Sequence, residues 1–467
     1  MSASPRHLSA MLWLVATGFF MQTLDTTIVN TALPSMARSL GESPLRMQSV
    51  VIAYSLTMAI VIPASGWLAD RFGTRQIFAT AIALFVLGSI GCASSQTLVQ
   101  LASSRVVQGV GGAMLLPVGR LAVLRTFPPE DYVRALSFVA IPGLVGPLIG
   151  PTLGGWLVEV SSWHWIFLIN VPVGIAGCIA TWFAMPDARS EVKRFDAKGY
   201  VLLAVGMAGF SLSLENIAAH GLNHAAVLVL LIVSLASFVA YGLHATRAPA
   251  PIFPLSLFRI HTYSVGLLGN LFARIGSGAM PYLIPLLLQV SLDYTPMQAG
   301  LIMLPAAAAG MATKRAVPML ITRFGYRNVL IVNTILVGAA MASFALISSE
   351  QPTWLRIAQV AFFGAVNSLQ FSAMNTLTLK DLAGAGASSG NSLFSMVQML
   401  AMSLGVTVAG ALLAAFGAMS ASGRGSLPVF HETFVSVGLI TCASSWIFAQ
   451  LAREVRRGRH DGEAGEM

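Results

Sequence analysis

Long apolar stretches, broken at short intervals by polar loops, run through almost the whole chain. A helix needs roughly 20 mostly apolar residues to cross the hydrocarbon core of a bilayer. At that window the pattern predicts helices near 11–34, 48–67, 77–96, 99–119, 136–158 and 163–184, then 199–219 and 225–245. Six more follow near 263–290, 296–318, 328–348, 354–379, 391–417 and 433–452. The predicted architecture is an all-α integral membrane protein with about fourteen spans in groups of six, two and six. The groups correspond to a bundle at 1–186, a linker at 187–262 carrying two inserted helices, and a bundle at 263–453, with a charged tail at 454–467. The first apolar run, behind Arg6 and His7, superficially resembles a signal peptide. It is too long, contains Asp25 and Asn30, and leads straight into further spans, so it reads as an uncleaved first helix.

Composition narrows the class. Apolar residues make up 56% of the chain and charged ones 10%, and the mean hydropathy is +0.76. Soluble domains average about 45–50% apolar and about 25% charged. A cytosolic enzyme, a disordered protein and a nucleic-acid binder are excluded on that ground. The net charge of +9 is a topology signal. With the N-terminus inside, nineteen of the 27 Lys and Arg fall in predicted cytoplasmic segments, and only Arg38, Arg46 and Arg424 fall opposite. The excess of Lys and Arg in short cytoplasmic loops sets orientation. It predicts a bacterial-type inner-membrane protein with both termini cytoplasmic, and no acidic partner is needed to explain the charge. The three cysteines, Cys92, Cys178 and Cys442, lie scattered in apolar runs, which fits neither a disulfide framework nor a metal cluster.

The chain also repeats itself. Gly66-Trp67-Leu68-Ala69-Asp70-Arg71-Phe72-Gly73-Thr74-Arg75 follows the second predicted span, and Pro318-Met319-Leu320-Ile321-Thr322-Arg323-Phe324-Gly325-Tyr326-Arg327 follows the tenth. Both end in Arg-Phe-Gly-x-Arg, 252 residues apart, which is about eight spans. Two six-helix halves separated by two helices account for that spacing. Parallel repeats about an axis along the membrane normal are the architecture of major facilitator transporters.

Several motifs carry a resemblance to that superfamily over nearly the whole chain. Gly66–Arg75 resembles its loop signature between the second and third helices. Leu24-Asp25-Thr26-Thr27-Ile28-Val29-Asn30-Thr31-Ala32-Leu33-Pro34 resembles the first-helix signature of the fourteen-span drug:proton antiporters. Arg105-Val106-Val107-Gln108-Gly109 is similar to their fourth-helix motif, and Gly146-Pro147-Leu148-Ile149-Gly150-Pro151-Thr152-Leu153-Gly154-Gly155 to their fifth-helix antiporter motif. Trp163-His164-Trp165-Ile166-Phe167 with Asn170 and Pro172 resembles their sixth-helix entry, and Lys314-Arg315 points to the MdtD-like branch. One departure is Thr322 in the second loop copy where the first has Asp70.

The resemblance implies a proton-coupled exporter, with roles that the residue types make physically reasonable. Asp25 sits mid-span, where an ionised carboxylate is expensive unless paired or wet, so it is a candidate proton-coupling group. The bland alternative is a packing hydrogen bond to Thr26 or Asn30. Arg105 keeps its charge and must pair; it either perturbs a proton site at Asp25 or ties two helices together. Gly66, Asp70, Arg71, Gly73 and Arg75, with Arg323 and Arg327, form a candidate latch between the halves, with a topology marker as the alternative. Gly146, Gly150, Pro151, Gly154 and Gly155 form a candidate hinge, since small residues let helices approach and prolines bend them; close packing alone is the other reading.

Cations within spans face cavities or pair with acids, and acids are scarce here. Arg274, Lys314 and Arg315 therefore predict a basic central cavity, unless the last two reach for the cytoplasmic surface. Asn30, Asn270, Asn367 and Gln370 are candidate lining residues, each equally readable as an interhelical bond. Enzyme signals are absent. There is no G-x-x-x-x-G-K-[ST], so ATP is not the energy source. Gly109-Val110-Gly111-Gly112 and Gly384-Ala385-Gly386 follow no strand, and the eight histidines lack metal-ligand spacing. The chain is expected to use the proton gradient, with no cofactor or metal, and to meet small molecules, protons and lipid as a monomer.

The leading expectation is multidrug-type efflux by alternating access. A basic cavity admits a second substrate class, a small organic anion or a metal–carboxylate chelate such as a citrate-like one. An importer is a further alternative, and a non-transporting sensor lacks the extra domain it would need. The two inserted helices are expected to be lipid-facing filler.

Overall fold

The computed structural model describes residues 5–127, 131–187, 189, 194–220, 225–382, 387–420 and 426–451. The predicted tail at 454–467, Lys193, Arg424 and the Gly384–Gly386 glycines lie outside these. Among the described residues, fourteen rods cross the molecule: α1 (Pro5–Leu40), α2 (Gln48–Phe72), α3 (Thr74–Ala93), α4 (Leu98–Thr126), α5 (Tyr132–Val160), α6 (Trp165–Ala184), α7 (Ala197–His220) and α8 (Ala225–Arg247). The second set is α9 (His261–Leu286), α10 (Pro296–Thr313), α11 (Ala316–Ser343), α12 (Thr353–Leu379), α13 (Ala387–Met419) and α14 (Leu427–Ala449). All but α10 are long and apolar enough to span a membrane by length and composition alone. The face on which α1 begins is here the near face, and the opposite one the far face.

The α10–α11 region departs from the sequence expectation, which placed a loop at 319–327. Lys314 and Arg315 keep right-handed helical dihedrals after α10. Pro318, which has no N–H, cannot bond back to the Lys314 carbonyl and marks the break in the ladder. The rod therefore continues to residue 324. It reverses at Gly325, whose φ of 74° and ψ of 158° only glycine adopts readily. Gly73 turns the chain between α2 and α3 with nearly the same geometry, φ 95° and ψ 147°. The repeat thus persists in the backbone, and α10 with its continuation is the counterpart of α2.

Helix pairing repeats as well. Within 5–184, α1 packs on α5, α3 on α4, α2 on α4, and α6 on α3 and α1. Eight helices later, α9 packs on α13, α11 on α12, α10 on α12, and α14 on α11 and α9. The halves meet along two seams that exchange under the same shift, α2 with α13 and α5 with α10. The inserted pair is not simply filler. α8 turns its apolar face outward, with Ile232 and Val239 exposed, but α7 lies across the α2–α13 seam and packs on both. Buried Leu203 and Met207 join the same apolar cluster as Val50 of α2 and Leu400 of α13.

The apolar cores show how the halves are disposed. One cluster is shared, and α1 enters it through its far-face part: Ile28, Ala32 and Met36 of α1 and Ile52 of α2 pack with Tyr282 and Leu286 of α9 and with Val406 and Leu413 of α13. At the near face there are separate clusters. One, holding Val15, Phe78 and Val118, draws its buried members from the first half only; another, holding Val265, Leu330 and Phe448, draws them from the second. The halves are sealed to each other at the far face and keep their own cores at the near face.

Candidate functional site

Asp25 lies in the interior of the first half, 1% exposed, enclosed by α1, α2, α3, α4 and α6. Arg105 of α4, also 1% exposed, donates Nη1 to Asp25 Oδ2 at 2.5 Å and to Gln108 Oε1 at 2.6 Å, and Nε to the Val50 carbonyl at 3.3 Å. Gln108 Nε2 donates to Asp25 Oδ1 at 2.8 Å and to Ser89 Oγ at 2.9 Å. Asn170, at the start of the second segment of α6, reaches Oδ1 at 3.4 Å. The Arg105 guanidinium also lies 4.1 Å from the centre of the Tyr54 ring, a cation–π contact that gains strength away from water. Tyr54's buried hydroxyl has no hydrogen-bond partner among the described residues.

Both carboxylate oxygens accept from donors, and a charged partner lies against one of them. Every donor but Asn170 belongs to an interlocked set. Arg105 and Gln108 share one turn of α4, so moving that turn would loosen several bonds together. The sequence brings Asp25 and Arg105 together as predicted. It gives no hint of Tyr54 or Ser89, which are ordinary residues on apolar helices. Gln108 and Asn170 were visible within motifs but without a role.

The other predicted residues separate into groups. Arg274 of α9 donates Nε to Asn270 Oδ1 at 3.3 Å and stacks 4.1 Å from the Phe371 ring. Its Nη2 is buried without a partner, and it has no ion pair among the described residues. Asn270 is fully buried and holds the Gly266 carbonyl at 3.0 Å and Thr378 Oγ1 at 3.3 Å. Gln370 is 1% exposed and bridges α12 to Asn333 and Thr334 of α11. Asn30 is likewise buried, its amide turned to the Thr26 carbonyl at 3.2 Å. Asn270 and Gln370 are therefore tied to neighbouring helices, while the Asn30 Oδ1 is buried without a partner among the described residues. Lys314 and Asn367 are half-buried, and Arg315 is exposed.

At the near face, Asp70 is paired with Arg125 of α4 in its own half, not with a helix end of the other half. The near-face ends of the two halves keep separate cores, which leaves Asp70 to find a partner locally. Arg75 donates Nε to the Met185 carbonyl at the end of α6, at 2.6 Å. Arg71 is exposed and lies against the Trp67 and Phe72 rings. Gly66 borders open space. Arg323 is exposed against Phe324, while Arg327 is half-buried with its Nε unpartnered.

The glycines of α5 face two ways. A Cβ at Gly146, Gly150 or Gly154 would strike Thr23, Thr27 or the Ile28 carbonyl of α1. A Cβ at Gly155 would lie 2.2 Å from the Pro296 carbonyl oxygen of α10, and one at Gly300 would lie 2.4 Å from the Pro151 carbonyl oxygen. These last two form the far-face seam. Its hydrogen bonds run from Thr152 Oγ1 to the Gly300 carbonyl at 3.1 Å, from Gln289 Nε2 to the Thr31 carbonyl at 2.9 Å, and from the Tyr282 hydroxyl to the Leu45 carbonyl at 3.3 Å.

Two pseudo-symmetric six-helix units, sealed at one face and separate at the other, with charges buried inside, define a multi-pass membrane transporter rather than an enzyme. The chain belongs to the Major Facilitator Superfamily, whose family model matches residues 15–406. It is 51% identical over 446 residues to a multidrug-resistance-named protein, MdtD, of Pectobacterium atrosepticum, covering 95% of this chain and 96% of that one. It is 50% identical over 450 residues to the like-named protein of Escherichia coli, covering 96% and 95%. Among solved structures, a POT family transporter in complex with 5-aminolevulinic acid matches with a TM-score of 0.70 at 16% identity, covering 95% of each chain. A D-xylose–proton symporter matches with a TM-score of 0.69 at 13% identity, covering 95% of this chain and 98% of its own. The chain is thus a secondary transporter.

Proposed function

We propose that this transporter is a proton-coupled exporter of small molecules, of the multidrug type. It sits in the inner membrane with both termini cytoplasmic, draws on the proton gradient without a cofactor, and works as a monomer by alternating access. The near face is then the cytoplasmic one, and the conformation described is open toward the cytoplasm. One observation carries the reading: the buried Asp25–Arg105 pair lies within a bundle that abuts the far-face seam, since Thr27, Ile28 and Thr31 of α1 pack directly on α5 or α9. Rocking that opens the seam must reposition α1 against its neighbours, and Asp25 rides on α1. The relatives' names support efflux as the direction. Latch and hinge roles for Asp70, Arg71, Arg75, Gly150 and Gly155 follow from their places at the near-face end and at the α1 and α10 contacts. In everted vesicles, adding substrate should release protons from the lumen of wild-type vesicles, and Asp25→Asn should abolish that flux while still folding. Flux of wild-type size in Asp25→Asn removes Asp25 from the mechanism.

A second reading concerns the cargo. Arg274 holds a buried, unpartnered Nη2 with no carboxylate in reach among the described residues, and a desolvated guanidinium pairs well with a carboxylate. This supports a small organic anion or a metal–carboxylate chelate as substrate. Arg274→Ala should then abolish efflux of an organic anion and spare a cationic dye; equal loss of both would assign Arg274 to general structure.

A further inference from the structure

The fourth-helix motif has a second copy that the loop repeat does not include. Arg105-Val106-Val107-Gln108 near the start of α4 is matched by Arg356-Ile357-Ala358-Gln359 near the start of α12, its counterpart under the eight-helix shift. Both arginines are buried, but their partners differ. Arg356 is 5% exposed and pairs with no acid among the described residues. Its Nη1 donates to the Tyr294 hydroxyl, and its Nη2 to the Ser348 and Ser349 carbonyls at 2.6 and 3.0 Å. Gln359 Nε2 donates to the Ser343 carbonyl at 2.8 Å. The pair thus grips the far-face end of α11 and the segment joining α9 to α10.

That joining segment is irregular along its length. Residues Leu287–Ser291 form a π-helical turn, a feature often found at functional positions. Its Gln289 makes the hydrogen bond to the Thr31 carbonyl across the halves. Asp293 follows with a φ of 53°, in the left-handed region. Tyr294 comes next, its N–H returned to the Leu288 carbonyl at 2.9 Å and its hydroxyl held by Arg356. Thr295 and Gln298 then close a capping box, and Pro296 presents its carbonyl to Gly155. Met297 N–H reaches Glu159 Oε2 of α5 at 3.4 Å. Tyr294 thus lies between the cross-half contact of Gln289 before it and those of Pro296 and Met297 after it.

We propose that Arg356 is a positioning residue of the far-face gate, holding segment 287–298 through Tyr294 so that Gln289 and Pro296 can seal against α1 and α5. The two arginines have divided the work of the repeat: one holds an acid inside its bundle, the other holds a seal between bundles. The proposal goes beyond the exporter reading and rests on it only for the rocking of the two halves. Because a guanidinium fork serves three oxygens in fixed geometry, lysine should replace it only in part.

The test uses spin labels on cysteines introduced at Arg38 and Met419, both exposed at far-face helix ends, in a chain whose three native cysteines are alanine. Interlabel distance distributions should move to longer distances in Arg356→Met and in Tyr294→Phe, with Arg356→Lys intermediate. If Arg356→Met does not fold, Tyr294→Phe, which removes one hydroxyl, decides alone. Gly155→Leu provides an independent lever on the same seam. Lengthening in Gly155→Leu with no change in the Arg356 and Tyr294 variants overturns the proposal and leaves alternating access standing. No change in any variant overturns the rocking itself.

Discussion

Arg105→Met is expected to be more damaging than the double variant Asp25→Asn/Arg105→Met. Removing the arginine alone leaves Asp25 as a buried carboxylate held only by Gln108 and Asn170. Breaking one side of a buried ion pair costs about 3–5 kcal/mol, because the remaining charge is desolvated and uncompensated. The single variant also frees Gln108 Oε1 and the Val50 carbonyl, both of which Arg105 now serves. Neutralising Asp25 in the same chain removes the largest of these penalties. Thermal unfolding of detergent-purified protein should therefore rank wild type above the double variant, and the double variant above Arg105→Met. A double variant as unstable as Arg105→Met would mean that the arginine matters for its packing on Tyr54 and Phe167 rather than for its charge.

Gly155→Leu is expected to have the largest effect on conformation. The first carbon of the new side chain would sit 2.2 Å from the Pro296 oxygen and 2.9 Å from the Met297 Cα. Those neighbours are backbone atoms of α10 and cannot swing aside as a side-chain tip can. The seam between α5 and α10 must part. Transport should fall at least tenfold, while a far-face cysteine at Thr152, whose hydroxyl now bonds the Gly300 carbonyl, should become reactive to an impermeant maleimide. Retained transport with an unreactive cysteine would show that this close approach is not a gate.

Much of this was legible in the sequence, for identifiable reasons. The spans were readable because each backbone group in a membrane must be satisfied within its own helix, which leaves long apolar runs with no competing reading. Asp25 and Arg105 stood out as the rare charges within such runs. The halves were readable from Arg-Phe-Gly-x-Arg, since Gly73 and Gly325 occupy a backbone conformation that other residues resist. What hydropathy could not show is which apolar helix meets lipid and which meets protein. α7 and α8 have the same outline, yet only α7 lies on the seam. It also cannot separate a loop from a helix broken by Pro318, so the predicted span ends at 318 while the rod continues to residue 324. For Asn270 and Gln370, polarity in a span fitted a cavity and an interhelical bond equally well, and their full burial decides for the bond. Arg356 carried a signal that reading the repeat beyond its loop would have found.

The central claim is the proposal that Asp25 exchanges a proton as α1 is displaced at the far-face seam. Infrared difference spectroscopy measures this directly, comparing wild-type protein with Gly155→Leu at neutral pH and assigning bands by Asp25→Asn in each background. The account predicts a protonated-carboxyl band that appears in Gly155→Leu and vanishes in Asp25→Asn/Gly155→Leu. An Asp25 carboxylate signal of equal strength in both conformations would contradict it.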